Sequence, residues 1–159
     1  MLKKILDSGD RTKFESGAVR DMHDGKGRCD LLPLDVVAAM MQSKTLLAVY
    51  NFQYTSDIMH LKYALEYFCE THGWNFANDM FLEVAKQFEE GAKKYGENNW
   101  RKGIPVKVYI DSAVRHYLKW SRGDEDEPHD RAFCWNILCA IWTCEHSPEL
   151  NDYARGDEE

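Results

Sequence analysis

The densest collection of side chains able to do chemistry lies in residues 83–136. This segment combines clustered carboxylates, the histidines His116 and His129, and a loop rich in lysine, asparagine and aromatic side chains. Clustered carboxylates favour Mg²⁺ or Mn²⁺ over zinc, because these ions prefer oxygen ligands. Neighbouring lysines and arginines would offset the charge that develops when a phosphoanhydride is hydrolysed. The segment therefore indicates metal-assisted phosphate chemistry.

Three helical patterns must position these groups. The first, over residues 78–95, carries an apolar stripe at helical spacing, formed by Phe81, Ala85, Phe88, Ala92 and Tyr95. Glu89 lies at the edge of this stripe and is the carboxylate best placed to face an interhelical cleft. A loop rich in glycine and asparagine follows. The second helix is predicted at about 108–120, with Arg115 and His116 off its inward face.

The third helix, predicted over residues 130–144, is apolar almost all round, so its Asn136 needs a buried hydrogen-bonding partner. The acidic turn 124–130 lies directly before it. Earlier in the chain, residues 34–41 predict a short helix, and residues 46–69 are mostly apolar. The pattern predicts an all-α bundle over 34–145, preceded by an irregular basic N-terminal arm (1–33) and followed by an acidic tail (146–159).

Composition limits the classes of function. The 159 residues, of which 44% are hydrophobic, suit one globular domain. A net charge of −7 argues against a nucleic-acid polymer as partner. Charge is uneven, since residues 93–107 are basic and 124–130 acidic, which suits a metal-chelated polyphosphate. The five cysteines contain no C-x-x-C pair and are expected to be buried free thiols. With neither signal peptide nor membrane span evident, we expect a cytoplasmic protein that does not bind membranes.

Several short motifs together resemble those of a known family. They are SGAVRD at 16–21, GKGRCDLLP at 25–33, EGAKKYG at 90–96, NW at 99–100, GIP at 103–105, DSAVRH at 111–116, and the segment 123–136. Over about residues 14–144 the chain resembles the phage and prophage family called the dATP/dGTP diphosphohydrolase N-terminal domain. The resemblance implies kinship with MazG-like nucleotide pyrophosphohydrolases. Those proteins have all-α four-helix cores, form oligomers, use Mg²⁺ or Mn²⁺, and cleave nucleoside triphosphates to monophosphate and pyrophosphate.

The chain departs from the MazG-like pattern at its carboxylates. A helical ExxE followed by ExxD is absent. The residue three positions after Glu83 is Lys86, and the residue three positions after His129 is Ala132. We therefore predict a different set of metal ligands, which consists of Glu89, Asp124, Asp126 and Glu127. His129 is a further candidate ligand. The predicted catalytic residues are Glu89, His116, Asp126 and His129. The side chains predicted to face phosphates are Lys26, Arg28, Lys93, Lys94, Arg115 and His116. Those predicted to stack on or read a purine are Tyr95, Asn98, Asn99 and Trp100.

These observations lead to one function and two alternatives. The chain is predicted to be a metal-dependent pyrophosphohydrolase, forming dimers or tetramers, that converts purine (deoxy)nucleoside triphosphates such as dGTP and dATP to monophosphates. If it is phage-encoded, it would act in the bacterial host cytoplasm. One alternative is a triphosphohydrolase of the HD type, using His116 and the His129-Asp130 pair. The other is a non-catalytic phage protein that sequesters a signalling nucleotide.

Overall fold

The structure, a computed structural model, describes residues 8–22 and 25–154. The ends of the predicted arm (1–7) and tail (155–159) lie outside these residues. The described chain contains six α-helices: α1 (Leu34–Met41), α2 (Lys44–Thr55), α3 (Met59–His72), α4 (Asp79–Tyr95), α5 (Val106–Arg122) and α6 (His129–His146). Two three-residue strands, β1 (Arg11–Lys13) and β2 (Val19–Asp21), precede them. The predicted all-α class is confirmed.

Local sequence signals account for the helix boundaries. The hydroxyl oxygen of Ser43 caps α2 by accepting a hydrogen bond from the Leu46 amide at 3.0 Å. Helix α5 begins directly after Pro105 and ends at Gly123, whose φ of 89° is a left-handed conformation that glycine adopts without strain. The apolar stretch 46–69 is divided between α2 and α3, because Ser56 adopts a left-handed conformation with φ of 61° and ends α2.

Helices α5 and α6 form the centre of the bundle and contribute many of its buried side chains. The largest fully buried side chains include Tyr109, Phe133 and Phe68, and the rings of Phe68 and Phe133 lie 4.8 Å apart. The five cysteines are free thiols, of which those at 69, 134 and 139 are buried. No helix within the described residues is both long enough and apolar enough to span a membrane.

The predicted apolar stripe of α4 is wrong by about one residue position. The buried residues of this helix are Met80, Val84 and Gln87, whereas Phe81 is 46% exposed. The sequence pattern misleads because a polar residue belongs to the buried face: the Gln87 side-chain oxygen accepts a hydrogen bond from Arg131 at 3.0 Å. One residue corresponds to about 100° around the helix. Glu89 is consequently exposed.

The described part of the predicted arm contains a β-hairpin that packs on the helices. Strands β1 and β2 pair antiparallel, with Arg11 opposite Asp21. The amide and carbonyl of Val19 form hydrogen bonds of 2.9 and 2.7 Å with the side chain of Asn99, and Ala18 is fully buried. The described part of the arm is therefore not irregular, as the sequence predicts, but an ordered hairpin that packs beside α4, α5 and α6.

Candidate functional site

The hairpin and helices α4, α5 and α6 enclose a cavity of about 490 Å³, hereafter the large cavity. Its basic lining residues are Arg20, Lys26, Lys94, Arg115 and Lys119, and its acidic ones are Asp21, Asp111 and Glu127. His116, Tyr95 and Asn136 also line it. Because positive side chains outnumber negative ones, the cavity favours an anion.

Arg20 is the most informative of these residues, because its charge is not paired with a carboxylate among the described residues. Its two terminal nitrogens donate hydrogen bonds of 3.1 Å to the side-chain oxygens of Asn136 and Ser112. The guanidinium also lies 5.4 Å from the ring centre of Tyr109 and 5.5 Å from that of Trp135. Neutral groups thus hold a partly buried cation in place, which leaves its charge available for an anionic ligand.

Arg115, in contrast, has its charge paired within the protein, although its buried Nε has no hydrogen-bond partner among the described residues. One of its terminal nitrogens donates hydrogen bonds of 2.8 and 2.7 Å to both carboxylate oxygens of Asp111 and one of 2.6 Å to the Gly27 carbonyl. Asp111 also accepts a hydrogen bond of 2.6 Å from the amide of Cys29. Arg115 lines the large cavity, as predicted for a phosphate-facing residue, but these contacts make it a link between α5 and the segment after the hairpin.

An acid–histidine cluster lies at the junction of α5 and α6. The Nδ1 atoms of His116 and His129 are 2.9 Å apart, and Nε2 of His129 lies 2.7 Å from a carboxylate oxygen of Asp126. Donor atoms within 4.8 Å of one another form two groups, one of His116, Glu127 and His129 and one of Asp124, Asp126 and His129. Both groups contain the types of donor that bind divalent metals.

The environment shifts the pKa values of this cluster in opposite directions. Burial lowers the pKa of His116 well below its usual value, and the positive charge of Arg20 lowers it further. Burial raises the pKa of Glu127. The hydrogen bond with His129 lowers the pKa of Asp126. The His116 imidazole is therefore neutral near pH 7, the state in which it can act as a metal ligand or accept a proton.

The structure brings some predicted site residues together and separates others. His116, Glu127, Lys26, Lys94, Tyr95 and Arg115 line the large cavity. Glu89, Asn98, Asn99 and Trp100 line a second, smaller cavity of about 270 Å³. The two cavities share Gly91 and Trp135. Among the described residues, Glu89 belongs to neither of the two groups of donor atoms.

Three other predicted residues have partners away from the large cavity. Lys93 lies 3.7 Å from Glu90 on the surface of α4. Arg28 forms a bidentate pair with Asp30, with N–O distances of 2.8 and 2.7 Å. The carboxylate of Asp124 is held by the exposed guanidinium of Arg122, which lowers the pKa of Asp124.

Sequence reasoning did not single out Arg20, Lys119 or Asp111. Two sequence features could have pointed to Arg20. One is its place in the SGAVRD motif, and the other is the buried amide of Asn136, whose oxygen accepts a hydrogen bond from Arg20. Lys119 lines the cavity one helical turn after Arg115 and has no ion pair among the described residues.

A family model described as "dATP/dGTP diphosphohydrolase, N-terminal" matches residues 71–153, just over half of the chain. No curated protein and no solved structure matches. The matched range contains α4, α5, α6 and the whole acid–histidine cluster, whereas the hairpin that carries Arg20 precedes it.

Proposed function

Because the chain belongs to the dATP/dGTP diphosphohydrolase N-terminal family, we propose that its large cavity hydrolyses a purine deoxynucleoside triphosphate, dGTP or dATP, to the monophosphate and pyrophosphate. The family description supports a diphosphohydrolase of these nucleotides. The cavity supports it independently, since an excess of basic side chains borders a cluster of metal-ligand types.

The observation that carries the proposal is the state of Arg20. A partly buried arginine without a carboxylate partner among the described residues costs desolvation energy that its neutral hydrogen bonds only partly offset. A triphosphate would supply the missing negative charge through strong, charge-assisted hydrogen bonds. Arg20 therefore anchors the phosphates, and Lys119 and Lys26, which also line the cavity, add positive charge.

The acid–histidine cluster fits a divalent cation, because oxygen and imidazole donors lie within 4.8 Å of one another in two groups. Donors from these groups, Glu127 and the two histidines among them, would hold the divalent cation. When bound, such an ion would offset phosphate charge and make a water molecule more acidic.

The remaining chemistry falls to the protein's own side chains. The oxygen of a water molecule forms a bond to phosphorus, the bond from phosphorus to the bridging oxygen breaks, and pyrophosphate leaves with that oxygen. Glu127 offers one carboxylate oxygen to the donor group, and its other oxygen can receive the proton of the water, because the residue lines the cavity and its carboxylate has no hydrogen bond among the described residues. Arg20 and Lys119 offset the negative charge that accumulates on the departing pyrophosphate.

A second candidate, a non-catalytic nucleotide binder, is favoured by one observation. Of the three carboxylates that line the large cavity, Asp21 is paired with Lys26 and Asp111 with Arg115, which leaves Glu127 alone. A single available carboxylate is few for a metal-dependent hydrolase. The basic side chains of the cavity are nevertheless sufficient to bind a nucleotide. The HD-type alternative is less well supported, because Asp130 hydrogen-bonds His72 at 2.9 Å and belongs to neither metal-binding group among the described residues.

The test is to incubate the protein with dGTP, dATP, GTP and ATP, with Mg²⁺ or Mn²⁺, and to resolve the products by ion-exchange chromatography. We expect deoxynucleoside monophosphate and pyrophosphate. Tripolyphosphate would instead indicate HD-type chemistry. Unchanged nucleotides that bind tightly would favour the sequestering protein, and nucleotides that neither react nor bind would overturn the proposal.

A pair of variants connects the result to the cavity. Arg20→Lys keeps the charge but loses the two hydrogen bonds that position it, and it should reduce kcat/KM roughly 10- to 100-fold, the equivalent of about 1.5–3 kcal/mol. The control is Arg101→Met, since Arg101 stacks on Trp100 outside the large cavity. Equal losses in both variants would contradict the role assigned to Arg20.

A further inference from the structure

We infer that His116, His129 and Glu127 form a nitrogen-rich site for a first-row transition-metal dication and that this site selects against Mg²⁺. The inference deepens the proposed function and rests on it for the role of the metal in hydrolysis. The binding itself can be measured without nucleotide.

The first argument is the separation of the two ring nitrogens. The Nδ1 atoms of His116 and His129 lie 2.9 Å apart. Two nitrogens bound at about 2.1 Å to one metal ion, at a right angle to each other, would lie about 3.0 Å apart. At this distance the two nitrogens also share a hydrogen bond, so one of them carries a hydrogen that must leave Nδ1 when an ion binds. The spacing of the two atoms already suits neighbouring ligands of a single ion.

The second argument is the tautomer of His129. An ionised carboxylate only accepts hydrogen bonds, so the contact of 2.7 Å between Asp126 and Nε2 of His129 requires a hydrogen on Nε2. A neutral ring with Nε2 protonated presents a lone pair at Nδ1, which is the atom facing His116. A carboxylate that orients a ligating histidine in this way is a common arrangement around protein metals. Asp126 is therefore a positioning residue.

The third argument selects between the two groups of donors. Glu127 has one carboxylate oxygen within 4.8 Å of a nitrogen of each histidine, and it borders the large cavity. In the other group, Asp124 is already held by Arg122. Asp126 is already bonded to Nε2 of His129. The group formed by His116, His129 and Glu127 is thus the one whose donors are available to an ion.

The donor types decide which ion binds. Imidazole nitrogen suits the later first-row metals, whereas Mg²⁺ prefers six oxygen ligands and keeps much of its water. Two nitrogens among three protein donors should therefore favour ions from Mn²⁺ to Zn²⁺. This differs from the sequence-based expectation of Mg²⁺ or Mn²⁺, which rested on a set of carboxylates alone.

The experiment is a titration of the full, nucleotide-free chain with Co²⁺, followed by its visible ligand-field absorption and by calorimetry, with and without a large excess of Mg²⁺. We expect saturable Co²⁺ binding that the excess of Mg²⁺ does not displace. Glu127→Gln and His116→Gln should weaken it at least tenfold, and Asp126→Asn by about 10- to 100-fold through loss of ring orientation. The matched control is Asp124→Asn, an acidic neighbour from the other group, which should bind Co²⁺ as the parent protein does.

Circular dichroism would verify that each variant is folded, and His116→Gln and Glu127→Gln provide two independent tests because neither residue is fully buried. Displacement of Co²⁺ by Mg²⁺, or Co²⁺ binding that survives in both of these variants, would overturn the inference. Hydrolysis of dGTP with Mg²⁺ but no such Co²⁺ site would refute this inference and leave the proposed function intact. Co²⁺ binding at these residues without hydrolysis would support this inference and refute the proposed function.

Discussion

Removing one partner of the buried ion pair between Asp111 and Arg115 should destabilise the fold strongly. The side chains of Asp111 and Arg115 are only 5% and 11% exposed. Asp111→Asn keeps the shape of the side chain and can still accept the hydrogen bond from the Cys29 amide. It removes the negative charge, however, and leaves the guanidinium buried without its counterion. Breaking a buried pair in this way typically costs about 3–5 kcal/mol of unfolding free energy.

For a chain of this length, each kcal/mol corresponds to about 2–4 °C in Tm. We therefore expect Asp111→Asn to lower Tm by about 6–20 °C, measured by thermal unfolding in EDTA and without nucleotide. The chain offers a matched control in Asp124→Asn, since Asp124 also pairs with an arginine, but that arginine, Arg122, is 70% exposed. An exposed pair is worth about 0–1 kcal/mol, so this variant should unfold almost as the parent does.

A double-mutant cycle separates the ion pair from general disruption. Adding Arg115→Met to Asp111→Asn removes the unpaired charge, and the double variant should recover part of the lost stability. A loss below about 1 kcal/mol in Asp111→Asn, or equal losses at positions 111 and 124, would refute the reasoning. It would mean that water reaches the pair despite its burial.

Three further predictions concern other parts of the fold. Gly103→Ala should destabilise by more than about 1 kcal/mol, because φ is 117° there and an added Cβ would lie 2.8 Å from a Leu150 methyl group; denaturant unfolding measures this. Asn99→Asp should cost about 1–3 kcal/mol by removing the donor to the Val19 carbonyl, and should speed proteolysis within the hairpin. Burial raises the pKa of the Cys134 thiol well above its usual value, so a disulfide reagent should modify it only on unfolding.

Each of these has an internal comparison. Gly123→Ala meets the same positive φ but no neighbouring atom within 4 Å, so it should cost less than Gly103→Ala. Asn98→Asp changes an exposed side chain and should leave proteolysis unchanged. The pKa of the half-buried Cys144 is raised to about 11, so its labelling should accelerate about tenfold per unit of rising pH below that value. Labelling of Cys134 in the folded protein as fast as that of Cys144 would contradict the burial.

The sequence was sufficient for features whose causes are local. Helices α4, α5 and α6 lie within two residues of their predicted bounds, because Gly96, Pro105 and Gly123 interrupt an otherwise helical pattern. The buried face of α4 was missed for a reason that is not local. Gln87 is buried because Arg131, 44 positions away, donates to it. A wheel drawn from apolar residues alone cannot include such a position.

The candidate site shows the same division. The acidic turn and the two histidines were identified because they are close in sequence, with Asp126 and His129 three positions apart. The partner of Asn136 was not identifiable, since Arg20 reaches it across 116 positions. Glu89 was selected from its place on a misplaced stripe, so its predicted role inherits that error in orientation and stays a prediction.

The way in which the site is assembled also bears on what determines ligand choice. The range matched by the family model supplies the acid–histidine cluster, but Arg20, which has no carboxylate partner among the described residues, comes from β2, which lies before that range. Arg20 is held by Ser112 of α5 and Asn136 of α6, the same helices that carry His116 and His129. A ligand that binds Arg20 and the cluster together therefore bridges the hairpin and both helices. Its affinity should depend on the hairpin as strongly as on the metal ligands, so changes in the hairpin should alter substrate affinity without changing the chemistry at the cluster.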